Sequence, residues 1–183
     1  MKKLLAVGAA LFVAVTASAA SVSWSVTGIT TPGSTSKASG YVAYLFDEAT
    51  VSSSTIASAI AGGTFADQIS KALSTGTSNM SGAITKSGIG SYGASATTDS
   101  PEVRKFYTVL FAAGTADAAE KYIISADSTV TFTSPTGSKA AAFVNIVSNA
   151  ASGWQNTTAV PEPTSGLLLL LGLAGIALKR KVA

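Results

Sequence analysis

The sequence predicts a small, strand-rich α+β domain with one or two helices, and three observations carry that expectation. Ser21 to Ile29 alternates: Val22, Trp24 and Val26 fall on one face and Ser21, Ser23, Ser25 and Thr27 on the other, the period-two pattern of a half-buried strand. Gly40 to Phe46 and Lys105 to Phe111 are dense in aromatic and β-branched residues, which suits strands near the centre of a sheet. Between them Ile56, Ala59 and Ile60, then Phe65, Ile69 and Leu73, recur at helical spacing around Gly62-Gly63. This predicts a helix over Ser53 to Leu73 that the glycine pair interrupts.

The remaining elements follow in order. Thr30 to Ser39 is a Gly/Pro/Ser/Thr loop. Asp67 and Lys71 stand four apart on the outer face of the interrupted helix. Ser74 to Ser100 is rich in Gly, Ser and Thr with isolated Met80, Ile84 and Ile89; it is long for a loop, so either short strands hide in it or it is mobile. Strand character returns over Glu102 to Ala112. Thr115 to Lys121 predicts a short helix with Thr115 at its N-cap. Tyr122 to Ser125 and Thr129 to Thr133 read as strands, Ser134 to Gly137 as a turn and Ala140 to Val147 as a strand. Ser148 to Ala159 reads as a polar tether. The run Tyr41 to Phe46 and its following helix echo Phe106 to Phe111 and the helix expected after it. The echo is either an internal duplication or two core strands of similar composition, and the few identities favour the second.

Charge and composition exclude several function classes. Five of the chain's 12 Lys and Arg lie at residues 2, 3 and 179–181, and one of its 9 acids is Glu162. The body from Ala20 to Val160 therefore carries 7 basic and 8 acidic residues, a net charge near −1. Without a basic patch, nucleic-acid binding lacks its main electrostatic support. Cysteine and histidine are both absent, which removes thiol nucleophiles, imidazole bases, Ser-His triads and nitrogen or thiolate zinc sites. Ser and Thr make up 44 of the body's residues, a composition suited to an exported surface.

The candidate chemistry in the body is thin. Asp47-Glu48 is its only adjacent acidic pair, and with no Asp-x-Asp-x-Asp-Gly ladder it reads as a solvated turn rather than a Ca²⁺ site. Gly88 to Gly93 matches Gly-x-Gly-x-x-Gly, but no strand precedes it and no helix follows, so it reads as a flexible loop. Trp24, Tyr41, Tyr44, Tyr92, Tyr107 and Trp154 supply flat rings of the kind that stack on sugars. Core packing accounts for most of them, with Trp154 and Tyr92 expected at the surface. Thr129, Thr131 and Thr133 form one strand's outer face rather than a repeated threonine array. Asn79-Met80-Ser81 and Asn156-Thr157-Thr158 fit the N-glycosylation pattern. Paired carboxylates across a cleft, the requirement of glycoside hydrolysis, are not indicated. No catalytic residue, metal or cofactor is expected, and the body is not expected to be an enzyme.

The two ends carry addresses. Lys2 and Lys3, the apolar run Leu4 to Val15, and Ala17-Ser18-Ala19 have the three parts of a secretory signal peptide. Cleavage by signal peptidase is expected after Ala19, removing residues 1–19, with Ala20 as the alternative. At the other end, residues 160–183 hold Val160-Pro161-Glu162-Pro163, an apolar run Gly166 to Leu178, and Lys179-Arg180-Lys181. As a helix the 13 residues of Gly166–Leu178 span about 20 Å, short of the about 30 Å of a bilayer core. Such a helix inserts only with local thinning and snorkelling of its basic end. The basic cluster places that end on the cytoplasmic side and the body outside. Pro161 and Pro163 hold Glu162 in a stiff, extended stretch.

This order of Pro161, Glu162, Pro163, apolar run and Lys179, Arg180, Lys181 resembles the PEP-CTERM sorting signal of Gram-negative bacteria. The resemblance covers the tail alone. It implies an exosortase, a membrane-embedded cysteine protease, as processing partner, a transient stay in the inner membrane, and release or transfer to the cell surface. Because that system commonly accompanies polysaccharide export, it also implies an exopolysaccharide as a possible partner. The Gram-positive sortase pattern Leu-Pro-x-Thr-Gly is missing, and a glycolipid-anchor signal lacks the Pro-Glu-Pro motif. The expected organisation is a signal peptide (1–19), an exported domain (20–147), a polar tether (148–159) and a sorting signal (160–183). The body is expected to be a structural or adhesive surface module, with a carbohydrate-binding module as the alternative and a secreted enzyme third.

Overall fold

A computed structural model describes residues 20–93, 95–144 and 153–157. The alternation in β1 (Ala20–Thr27) is realised in full: Ala20, Val22, Trp24 and Val26 are buried, and the intervening hydroxyl residues face outward. β1 is the centre of a small sheet. It pairs antiparallel with β4 (Ile84–Tyr92) on one side and parallel with β8 (Ser138–Val144) on the other.

The larger sheet runs β3-β2-β5-β6-β9, with β7 also paired to β5. Its members are β2 (Val42–Asp47), β3 (Ser74–Thr77), β5 (Glu102–Phe111), β6 (Lys121–Ile124), β7 (Ser128–Phe132) and β9 (Gln155–Asn156). β5 is long enough to hold two partners along one edge, β7 against Glu102–Phe106 and β6 against Val109–Phe111. Its other edge pairs with β2 from Phe106 to Phe111.

Both faces of the large sheet are covered along β2 and the second half of β5, so Val42–Asp47 and Phe106–Phe111 are buried at every position. Glu102–Lys105 at the start of β5 stay partly exposed. One face packs on the small sheet: Ala43, Leu45, Phe106, Leu110, Val130 and Phe132 meet Val22, Trp24, Val26, Ala141 and Phe143. The opposite face meets α1 (Ser53–Ala61) and the turn after it: Tyr44, Phe46, Tyr107 and Phe111 pack on Ile56, Ile60 and Phe65. The result is three layers, small sheet, large sheet and helix. Ser52 caps α1 by accepting from Thr55 N, and Gly62-Gly63 ends it as expected. A second short helix, α2 (Ala66–Ile69), resumes the helical spacing. Lys71 donates to Gln68 at 2.8 Å.

The strand-rich class holds, with several corrections to individual elements. Of the two alternatives for Ser74–Ser100 the first holds, since short strands do lie in it, β3 and β4. Gly88 to Gly93 therefore lies in and just after a strand. Gly88 and Gly90 take φ +70° and +68°, and the β1–β4 register shifts twice between Ala20 and Trp24. Bulges at such glycines break the period that marks a strand in sequence. Thr115 to Lys121 forms no helix. Thr115 Oγ1 accepts from Ala118 N at 3.3 Å, but Ala112 N donates to Lys121 O at 2.9 Å, and the segment closes the β5–β6 connection instead. The echo between Tyr41–Phe46 and Phe106–Phe111 thus loses its second helix; the two strands are antiparallel neighbours.

Candidate functional site

The C-terminal junction is the feature with the most direct link to handling of the chain. Within the stretch read as a polar tether, residues 148–159, Gln155 and Asn156 form β9 on the edge of β6, with Lys121 opposite Asn156 and Tyr122 opposite Gln155. Trp154 is buried, 9 % exposed, and meets the Tyr41 ring edge-on at 6.0 Å. Thr157 N donates to Glu120 O at 3.0 Å, and Thr157 Oγ1 to Ala119 O at 2.7 Å. Lys121 Nζ donates to Asn156 Oδ1 at 3.0 Å.

Together these contacts make a four-residue clasp. Burying a tryptophan contributes about 4–6 kcal/mol at 150–250 Å² of area. Ordering four residues costs about 4–8 kcal/mol, and four or five hydrogen bonds return about 1 kcal/mol each. The balance is a few kcal/mol, so the clasp can open without global unfolding. The sequence held one signal for it: a lone tryptophan in an otherwise polar run.

The clasp borders two depressions. One, of about 220 Å³, is lined by Ile60, Phe65, Phe111, Ala116, Ala119 and Thr157. The other is lined by Thr31, Pro32, Tyr41, Ala118, Glu120 and Lys121. Tyr41, half-buried, is the ring of the six expected stacking residues that retains an open side; Trp24, Tyr44, Tyr92, Tyr107 and Trp154 are all buried. The expectation of surface positions for Tyr92 and Trp154 is therefore corrected. Tyr92 lies between Phe106, edge-on at 5.3 Å, and Phe132, stacked at 5.6 Å. Burial first, then the nearby Asp47 carboxylate, pushes its phenol up to about 12.

Asp47-Glu48 is likewise not a solvated turn. Asp47 is buried, 3 % exposed, and its carboxylate accepts from Ala49 N at 2.9 Å and pairs with Arg104 Nη1 at 3.5 Å. Glu48 accepts from Ser53 N at the start of α1. Arg104 also pairs with Glu102 at 2.7 Å and lies 5.9 Å from the Tyr92 ring centroid, while Glu102 accepts from Gly93 N at 2.8 Å. These groups fasten the end of β4 to β5. Both carboxylate oxygens of Asp47 and both of Glu102 accept from internal donors, which is the arrangement of a structural stitch. Among the described residues no group of three or more acids could hold a metal ion.

The central positions of the small sheet's outer face carry no charge. Ser21, Ser23, Ser25 and Thr27 run down its middle, opposite Ser138, Ala140 and Ala142 of β8, and Ser25 sits opposite Thr85 of β4. Ser23 and Ser138 hydroxyls meet at 3.1 Å. Of the two glycosylation-like asparagines, Asn79 Oδ1 accepts from Ser81 N and Ala83 N to shape the β3–β4 turn, and Asn156 is held by Lys121.

The targeting residues Ala17, Ala19, Pro161, Glu162, Pro163, Lys179, Arg180 and Lys181, and the helix expected over 166–178, lie outside the described residues. No helix among the described residues is long and apolar enough to cross a membrane. No curated protein and no solved structure matches the chain. Residues 159–181 do match a known family, the PEP-CTERM protein-sorting motif, so this is an exported protein that carries an exosortase-processed sorting signal directly after its folded body.

Proposed function

We propose that the body is a structural or adhesive module of the cell surface or extracellular matrix, delivered there by its sorting tail, and that it has no catalytic role. The observation that carries this reading is the outer face of the small sheet. Its Ser21, Ser23, Ser25, Thr27, Ser138, Ala140 and Ala142 form a layer of hydroxyls and methyls without a charge. Such a layer has no ion to desolvate and no long flexible side chain to immobilise, and its hydroxyls can pair with polar groups of a partner surface. The buried aromatics support the same reading, because the large rings stabilise the sandwich and are not offered to a ligand.

The test uses the mature chain in two forms, native and Ser23→Lys/Ala140→Lys. Adhesion of cells or purified protein to a surface falls sharply in the variant if the face is the adhesive one, and equal adhesion overturns the reading. The location is tested separately, by intact mass and fractionation in cells with and without exosortase. A body ending near Val160 to Pro163 at the surface only when exosortase is present supports delivery. An uncut chain in both overturns it.

One observation favours a second reading, an exopolysaccharide-binding module. The Tyr41 depression joins an open ring to Thr31, Glu120 and Lys121, a hydroxyl, a carboxylate and an ammonium beside an aromatic face. Loss of polysaccharide co-sedimentation in Tyr41→Ala, with the Ser23→Lys/Ala140→Lys form unaffected, would favour it over the first.

A further inference from the structure

We infer that the Trp154–Thr157 clasp restrains exosortase processing by holding the cut region close to the folded domain. The inference rests on the tail being an exosortase substrate, and it adds a determinant inside the body. Thr157 is pinned by two hydrogen bonds to the Ala119–Glu120 backbone. Glu162 lies only five residues further on and Gly166, where the apolar run begins, nine. A fully extended chain then places Glu162 no more than about 18 Å from the clasp, and Gly166 no more than about 32 Å.

A protease embedded in the membrane must bind the Pro161-Glu162-Pro163 segment in an extended form between the bilayer and the domain. With the clasp closed, the domain's bulk sits within a few residues of the bond to be cut. With the clasp open the hold on Thr157 is lost, and the nearest described strand upstream is β8, which ends at Val144, 18 residues before Glu162. That is a contour of at most about 60 Å. Access to the cut region is therefore a two-state property of the clasp, biased by Trp154 seated on Tyr41 and by β9 on β6.

The test follows conversion of the full-length chain to the shortened form after a pulse of synthesis in cells with active exosortase. Three chains are compared: native, Trp154→Ala, and a native clasp with eight Gly/Ser residues inserted after Thr157. The inference expects both altered chains to be cut several-fold faster than native. The insertion leaves the folded body and its clasp intact, so it remains informative if Trp154→Ala fails to fold. Equal or slower cutting of the insertion chain, with native still cut, overturns the restraint while leaving the sorting reading untouched. A native chain that is not cut at all overturns both.

Discussion

Gly76 offers the sharpest test of the sandwich. It sits in β3 of the large sheet opposite Ala43, where a side chain would point at the small sheet. A methyl there would overlap Ile84 Cγ2 of β4, and would lie 3.3 Å from Lys86 Cε and 3.4 Å from Trp24 Cη2. Ile84 and Trp24 are 2 % and 1 % exposed, so neither has room to move aside. Replacing glycine by alanine in a strand would otherwise stabilise by about 0.5–1 kcal/mol. Overpacking a tight core costs about 1–3 kcal/mol, so Gly76→Ala is expected to lose about 1–2 kcal/mol net. Ile84→Ala alone is expected to lose about 2–5 kcal/mol through its cavity. In the double variant the new methyl occupies part of that cavity, so its loss should not exceed that of Ile84→Ala. Urea unfolding followed by the fluorescence of the two buried tryptophans gives all four corners of the cycle, with m-values checked for a common two-state transition. Additivity within about 0.5 kcal/mol would mean that β3 does not face β4, and the packing of the two sheets described above would be wrong.

Three further outcomes follow from buried polar groups. Tyr92 is pushed up to about 12, and Tyr107, Tyr44 and Tyr122 are also raised, chiefly by burial. Because the folded state binds these protons more tightly than the unfolded one, stability is intact below about pH 10 and is lost as pH rises through the folded value. Unfolding midpoints taken together with tyrosinate absorbance check this, and phenols that ionise near pH 10 without loss of stability would refute it. The Tyr107 hydroxyl donates to Val51 O at 2.8 Å in a fully buried site. Tyr107→Phe orphans that carbonyl and should cost about 1–2 kcal/mol in urea unfolding; an unchanged midpoint would show that the bond contributes nothing. Arg104→Met leaves the Asp47 carboxylate, 4 % exposed, without its cation. A loss of about 1–3 kcal/mol is expected, toward the lower end because the 37 % exposed Arg104 side chain is screened by solvent. Thermal melting reads it, and an unaltered Tm would refute the stitch.

Several elements were legible in the chain because their signals are local. The alternation of Ser21 to Ile29 needs one buried face, and β1 has one. Gly62-Gly63 ends a helix wherever it occurs, and α1 stops there. The sorting signal is legible for the same reason: its proline motif, apolar run and basic end are read as a linear string, and residues 159–181 match it as such. The absence of cysteine and histidine removed whole reaction classes before any fold was known.

What the tertiary structure decided depends on partners distant in sequence. Thr115 to Lys121 carries helical signals, yet the pairing of Ala112 with Lys121 closes a hairpin connection instead. Gly88 to Gly93 looked like a loop because bulges against β1 destroy its period. Asp47 seemed a solvated acid until Arg104, 57 residues away, reached it. Trp154 looked exposed in a polar run, and only the Tyr41 ring and the open edge of β6 reveal it as part of a clasp. Composition and linear motifs determined that the protein is exported and how its tail is handled. Long-range burial determined which of its aromatic and acidic groups are structural, because whether a side chain is desolvated depends on what packs against it and not on its neighbours in the chain.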